Sequence, residues 1–336
     1  MLPLFSRSFN NKIILAVFLV ITVFCYLNIH HTLHKNIQLD KNVVFEIKKG
    51  ANYNQIFSNL EKNKIIKQHQ IHFFIFKIIN KLKPNFYFKA GEYEVKQNTK
   101  YIELIEKFIK GETYLRKYTI IEGFTSYQIV DLLQQIEYLN GDIENIPAEG
   151  SLLPDTYFYK KGDSRQDQIT LMQNRMATEL EKIWLNREPS TPLKNKKELL
   201  ILASIVEKET GLRTERDHVA GVFINRLKQK MKLQSDPTVL YAVTLGKYKL
   251  DRPIYKKDLR KTSNYNTYHI FGLPPSPIAN PGLEAIIATS RPKDTLDLYF
   301  VSDGFGRHQF SQTLVEHNKN VRKLRKIEKM RKNEKK

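Results

Sequence analysis

Two glutamates, two residues apart, close a strongly apolar stretch in the middle of the chain. Leu199, Leu200, Leu202, Ala203, Ile205 and Val206 lead into Glu207, Lys208 and Glu209. The run is too apolar for a surface helix and Gly211 stands where a helix would stop, so residues 197–209 are expected to form a helix buried on most sides. Side chains two positions apart on a helix project about 200° apart, so the two carboxylates do not face one site. One is free for chemistry and the other is expected to be solvated. Glu207 is the candidate, because it follows Val206 and lies one turn beyond Ala203 and Ser204, whereas Glu209 sits between Lys208 and Thr210. A carboxylate at the end of an apolar helix is poorly hydrated, which disfavours its ionised form and lifts its pKa toward that of a proton donor near neutral pH. Cleavage of a glycosidic bond needs such an acid.

The segments after Glu207 have the composition of a sugar-binding surface. A helix over residues 215–228 would turn Val219, Val222, Phe223 and Leu227 inward and carry Asn225 and Arg226 near its end. Gln234, Ser235 and Asp236 form a polar loop before a proline-opened helix at Pro237. Tyr265, Asn266 and Tyr268, the turn-forming run from Gly272 to Pro277, and Asn280-Pro281-Gly282 follow. Aromatic faces stack on pyranose rings, and amides pair with hydroxyl and N-acetyl groups. The nine histidines show no H-E-x-x-H spacing, and neither a G-x-S-x-G elbow nor a phosphate loop occurs, so no metal or other cofactor is expected.

The 336 residues suffice for an anchor and two or three modest domains. Residues 13–27 are apolar apart from Thr22, and with Asn28 and Ile29 they approach the roughly 17–20 residues needed to cross a bilayer. Arg7 and Lys12 precede this run, so residues 1–12 should be cytoplasmic, 13–32 a single-pass anchor and the remainder extracytoplasmic. No A-x-A-like site follows, which favours an uncleaved anchor over a removed signal peptide. The single cysteine, Cys25, lies inside the apolar run, where it can form neither an intramolecular disulfide nor a cysteine-rich metal site. Phe24 before it is too bulky for lipoprotein processing.

Beyond the anchor a pattern repeats. Residues 43–47 alternate as a strand, reach Lys49-Gly50, and lead to a helical segment around Gln55-Ile56; residues 118–121 reach Glu122-Gly123 and lead to Gln128-Ile129. A looser third copy runs from Gly91 to Val95 and into a helix over 102–109. Each reads as strand, glycine turn and short helix opened by a polar cap such as Ser126 or Thr99, and two such units can share one core. The arrangement resembles LysM-type modules, which bind the N-acetylglucosamine backbone of peptidoglycan or chitin. Residues 151–159 are expected to bridge to the second domain, 165–184 to be helical, and 297–301 to form a strand.

Lys and Arg outnumber Asp and Glu 55 to 35, a net charge of +20. The excess is mostly lysine, part of it lies in residues 319–336, and no nucleic-acid motif accompanies it, so no nucleic-acid partner is expected and the tail reads as solvated and frayed.

In order along the chain, Ile205-Val206-Glu207-Lys208-Glu209, Val222-Phe223-Ile224-Asn225-Arg226-Leu227, Leu233-Gln234-Ser235-Asp236-Pro237-Thr238, Tyr265-Asn266-Thr267-Tyr268, Gly272-Leu273-Pro274-Pro275 and Tyr299-Phe300-Val301 resemble the successive motifs of the YceG-like endolytic murein transglycosylases. Ser276 departs from the glycine usual there. The resemblance spans about residues 40–320 and implies an α+β protein: an N-terminal transmembrane helix, a LysM-like βα subdomain (40–150), a mixed α/β catalytic domain (151–320) and a basic tail (321–336). It implies an inner-membrane lytic transglycosylase with Glu207 as essential acid. Such an enzyme cuts the β-1,4 bond between N-acetylmuramic acid and N-acetylglucosamine inside nascent strands, leaves 1,6-anhydro ends, and limits strand length beside peptidoglycan synthases. Asn225, Gln234, Asp236, Tyr265, Asn266 and Tyr268 are then candidates for orienting the N-acetyl group and stabilising oxocarbenium-like charge. The alternative is a membrane-anchored glycan-binding scaffold without catalysis.

Overall fold

The computed structural model describes residues 5–67, 69–82 and 87–334; residues 1–4 of the expected cytoplasmic segment and the last two of the basic tail lie outside them. The chain forms two compact units, Met1–Arg116 and Lys117–Lys336.

The first unit contains α1 (Phe5–His34), β1 (Val43–Ile47), α2 (Tyr53–Lys62), α3 (His69–Leu82), β2 (Gly91–Val95) and α4 (Tyr101–Lys110). Within α1, Ile13–His34 is long and apolar enough to cross a membrane; its apolar window is not covered by protein, while Leu33 near its end packs on the core of this unit. Strands β1 and β2 pair antiparallel from Val43↔Val95 to Ile47↔Gly91. Their alternation sends Phe45, Ile47, Tyr93 and Val95 into a core with Ile56, Phe57, Leu60, Leu104, Ile105 and Phe108.

Strand β3 (Arg116–Thr119) begins at the boundary, and the second unit continues with α5 (Ser126–Gln135), β4 (Thr156–Tyr159), α6 (Arg165–Leu185), α7 (Lys196–Glu209), a 3-10 turn (Arg213–Glu215), α8 (Arg216–Lys228), α9 (Asp236–Thr244), α10 (Lys256–Leu259), α11 (Leu283–Ser290), β5 (Tyr299–Ser302), β6 (His308–Ser311) and α12 (Leu314–Glu334). Helix α7 is its axis, packed against α6, α8, α9 and α11, and every residue from Ile201 to Glu207 is buried. Asn195 opens it by accepting from the Glu198 amide at 3.0 Å.

The strand–turn–helix repeat is present in the backbone. Gly50 and Gly123 hold φ of +80° and +77°, a left-handed turn that a β-carbon would strain. Helices α2 and α5 then open with the same reciprocal capping box, Asn52 with Gln55 and Thr125 with Gln128. The caps differ from those expected: Thr125 rather than Ser126, and Lys100 rather than Thr99, whose hydroxyl turns back to the Lys96 carbonyl. The copies also part company. The first and third share one core, whereas residues 117–150 belong to the second unit, where Ile120, Ile129 and Leu133 pack on Tyr157, Ile169 and Met172. The boundary between the two compact units lies between Arg116 and Lys117, and the 151–159 segment supplies β4, which pairs with β3.

Two further expectations are corrected. Residues 321–334 are helical rather than frayed, because Val321, Leu324 and Ile327 recur on one face of α12 as it packs on β5 and β6. Glu209 is not a solvated charge, for reasons visible in the site.

Candidate active site

Glu207 lies in the last turn of α7 with 5% of its side chain exposed. Three chain segments meet it. Arg216, the first residue of α8, sends Nη2 to Glu207 Oε1 at 2.9 Å. Gly282, the N-cap of α11, donates its backbone N–H to Oε2 at 2.9 Å. Glu122, on the turn after β3, accepts from the same Arg216 Nη2 at 2.9 Å. Burial raises the Glu207 pKa above the ordinary carboxylate value and outweighs the Gly282 N–H and the Arg216 charge, which lower it; the Glu122 charge adds to the rise. Lys208, its neighbour, donates to the Gly123 carbonyl at 3.1 Å, and desolvation lowers its pKa.

Asn280 fixes the register of these segments. Its backbone N–H donates to Phe124 O and its carbonyl accepts from Gly123 N, both at 2.9 Å, so the loops bearing Glu122 and Gly282 are laced together. The side chain is fully buried: Oδ1 accepts from Leu152 N at 3.0 Å, and Nδ2 donates to Phe124 O, Ser126 Oγ and Glu149 Oε1. Glu149 also accepts from Ser126 N and Tyr241 Oη, and burial raises its pKa. A β-carbon on Gly282 would overlap the Glu122 carboxyl, which is why that loop can close over Glu207.

A buried carboxyl whose pKa is raised by desolvation, next to one cation and one oriented N–H, is suited to donate a proton and then persist as an anion. Among the described residues no group of three or more His, Cys, Asp or Glu is placed to hold a metal ion.

A family model described as the YceG-like family matches residues 45–323. The chain belongs to the YceG-like family. A protein of Bacillus subtilis named endolytic murein transglycosylase is 34% identical over 82% of this chain and 83% of its own length. One of the same name from Streptococcus pneumoniae serotype 2 is 29% identical over 88% of this chain, which spans 61% of that longer relative. The crystal structure of a yceG-like protein from Listeria monocytogenes, 32% identical, superposes with a TM-score of 0.50, covering 83% of this chain and 99% of that one.

In this YceG-like chain two of the remaining candidate residues, Asp236 and Tyr268, lie near Glu209. Burial pushes Glu209 up to about 7; nearby Asp236 adds to this, while the Ser235 hydroxyl, which donates to Oε1, and Arg226 oppose it. Tyr268 Oη donates to Asp236 Oδ1 at 2.7 Å, and Gln234 is exposed beside them with φ +52°. Tyr265 leans on Tyr241, and its hydroxyl lies 2.7 Å from Ser276 Oγ. The two asparagines are committed to backbone: Asn225 Nδ2 donates to Thr295 O and Asp297 O, and Asn266, fully buried, donates to Leu259 O and Lys261 O. Sequence reasoning missed Arg216, Glu122, Glu149 and Asn280. The Glu122-Gly123 turn was visible as part of the repeat, yet nothing local tells that its carboxylate meets an arginine 94 residues away.

Proposed function

We propose that this protein is an endolytic murein transglycosylase, with Glu207 as its catalytic acid and base. The observation that carries this reading is a buried carboxylate whose pKa desolvation raises, braced by Arg216 and the Gly282 N–H for the moment it gives a proton up. A hydrolase needs a second carboxylate to activate water or to form a covalent intermediate; a lytic enzyme does not. Protonated Glu207 gives its proton to the glycosidic oxygen as the bond from the muramic acid C1 breaks. The C6 hydroxyl of the same sugar then bonds to C1 and returns its proton to Glu207, leaving a 1,6-anhydro end with no water consumed. The relatives' shared name supports murein as substrate.

Exposed Gln234 and Asp236 and half-buried Tyr268 are proposed to meet the sugar directly, with Tyr265 at the edge of the same surface. Asn225 and Asn266 act through the backbone they hold in place. The uncovered apolar helix supports a single-pass anchor with residues 1–12 cytoplasmic and catalysis outside, near the membrane, where termination of nascent strands beside the synthases would occur. The β-α-α-β order of residues 43–95 supports a LysM-like fold for the first part of the 40–150 region; its second part, 117–150, belongs with the unit that carries Glu207.

The test is mass spectrometry of uncrosslinked glycan strands incubated with the detergent-solubilised protein and with folded Glu207→Gln. Anhydro ends from the parent, reduced about 10²–10⁴-fold in the variant, are expected. Unchanged cleavage by Glu207→Gln would reject the assignment, and no cleavage by the parent would favour the glycan-binding scaffold.

A further inference from the structure

We infer that Glu122 and Arg216 are positioning residues that share one guanidinium between two carboxylates, so that Glu207 can be a neutral acid in one step and a stabilised anion in the next. The inference rests on Glu207 being the catalytic acid and concerns how its proton is managed.

Arg216 is 4% exposed, and its Nε and Nη1 are buried without a hydrogen-bond partner among the described residues. Its hydrogen bonds therefore run through Nη2 alone, which donates to Glu207 Oε1 and to Glu122 Oε2 at equal distances of 2.9 Å. Facing Glu207 by itself, a buried guanidinium would hold that carboxylate ionised and leave it no proton to give. Glu122 supplies the compensating charge. Before cleavage, Arg216 and Glu122 form a neutral pair and Glu207 keeps its proton. Once the proton has gone to the leaving oxygen, the Glu207 anion already lies against the same Nη2 and the Gly282 N–H, so no side chain has to travel. When the C6 hydroxyl returns a proton, the first state is restored.

Glu122 is suited to this by its place. Its side chain is 34% exposed, against 5% for Glu207. The laced loops and the missing β-carbon of Gly282 hold its carboxyl against Arg216. The other charged groups near Glu207 are Lys208, tied to the Gly123 carbonyl, and Glu149 beyond Lys208. They are common to every variant below.

The experiment compares Glu122→Gln and Arg216→Gln in the full-length, detergent-solubilised protein. Two readouts are taken: the pH profile of anhydro-end formation, and the Glu207 titration by NMR of carboxyl-¹³C glutamate, assigned by its loss in Glu207→Gln. Removing the Glu122 charge should shift the Glu207 titration, and the falling alkaline limb of the rate, to lower pH. Removing Arg216 should shift both to higher pH. Each pH unit of displacement changes the rate on that limb about tenfold. Opposite displacements support the proposal. A Glu207 titration unmoved in both folded variants overturns it, even if activity is lost, because a merely structural role predicts that result. If Glu122→Gln does not fold, Glu122→Asp, with a shorter reach to Nη2, must shift the titration, and an unmoved titration there overturns the proposal too. Displaced titrations in a protein whose Glu207→Gln variant still cuts strands would uphold the charge sharing while rejecting Glu207 as the acid.

Discussion

Asn280→Ala removes the side chain that laces the loops around Glu207. The amide sits at zero exposure and makes four hydrogen bonds. Its loss leaves the buried Leu152 N–H without an acceptor, a penalty of about 1–3 kcal/mol. Glu149 loses one donor but keeps Ser126 N, Ser126 Oγ and Tyr241 Oη, so its cost is smaller. With the small void added, the total is about 2–4 kcal/mol, or a fall of about 5–15 °C in melting temperature for a unit of this size. The assay is calorimetric melting of the solubilised protein at neutral pH beside a glycan-cleavage measurement, which should fall as the Gly282 N–H loses its register. Asn280→Asp sharpens the test. It keeps an acceptor for Leu152 N but sets a second carboxylate against Glu149 Oε1, 3.0 Å away, so the pair can lie together only by sharing a proton. Loss of the shared proton is then pushed above its unfolded value, and the stability held at lower pH is lost as pH rises through it. A melting temperature within about 2 °C of the parent for Asn280→Ala, or a pH-independent Asn280→Asp, would refute the assignment of Asn280 as the lace of this site.

Glu209 should make the fold itself pH-dependent. Its folded-state pKa is raised from 4.5 to about 7, so its contribution to stability is complete below about pH 4.5 and disappears as pH climbs through about 7. Denaturant midpoints should therefore fall across that window by an amount on the order of 2–3 kcal/mol, and a flat profile in the parent, or an equal slope in Glu209→Gln, would contradict it. In the first unit, Phe57 is fully buried among Phe73, Phe76 and Phe88. Phe57→Ala should cost about 3–5 kcal/mol in that unit, read as protease sensitivity of residues 43–110, while Glu207 chemistry in the solubilised protein persists.

Much of this architecture is written in local pattern. Apolar residues at nearly every position from Leu199 to Val206 admit only a helix surrounded by others, and α7 is that helix. The glycine turns at Gly50 and Gly123 were legible because a left-handed turn before a capped helix needs a particular residue at a particular place. The burial of Glu207 was legible as well, because its apolar neighbours on the helix already imply desolvation.

What local pattern could not carry was partnership. Glu122 resembles any turn carboxylate, Arg216 any residue opening a surface helix, and Asn280 any residue before a proline. Their roles arise only when α7, α8, the turn after β3 and the loop before α11 converge. The same limit explains Glu209. Its sequence neighbours Lys208 and Thr210 suggest solvent, but Ser235, Asp236 and Arg226 close over it from later in the chain. The two identical capping boxes show the limit at the level of domains. Sequence decided that strand, turn and helix would form twice, whereas burial decided that the first copy would pack on β2 and the second on β4 and α6, because a strand–helix unit leaves an apolar face open and takes whichever partner covers it.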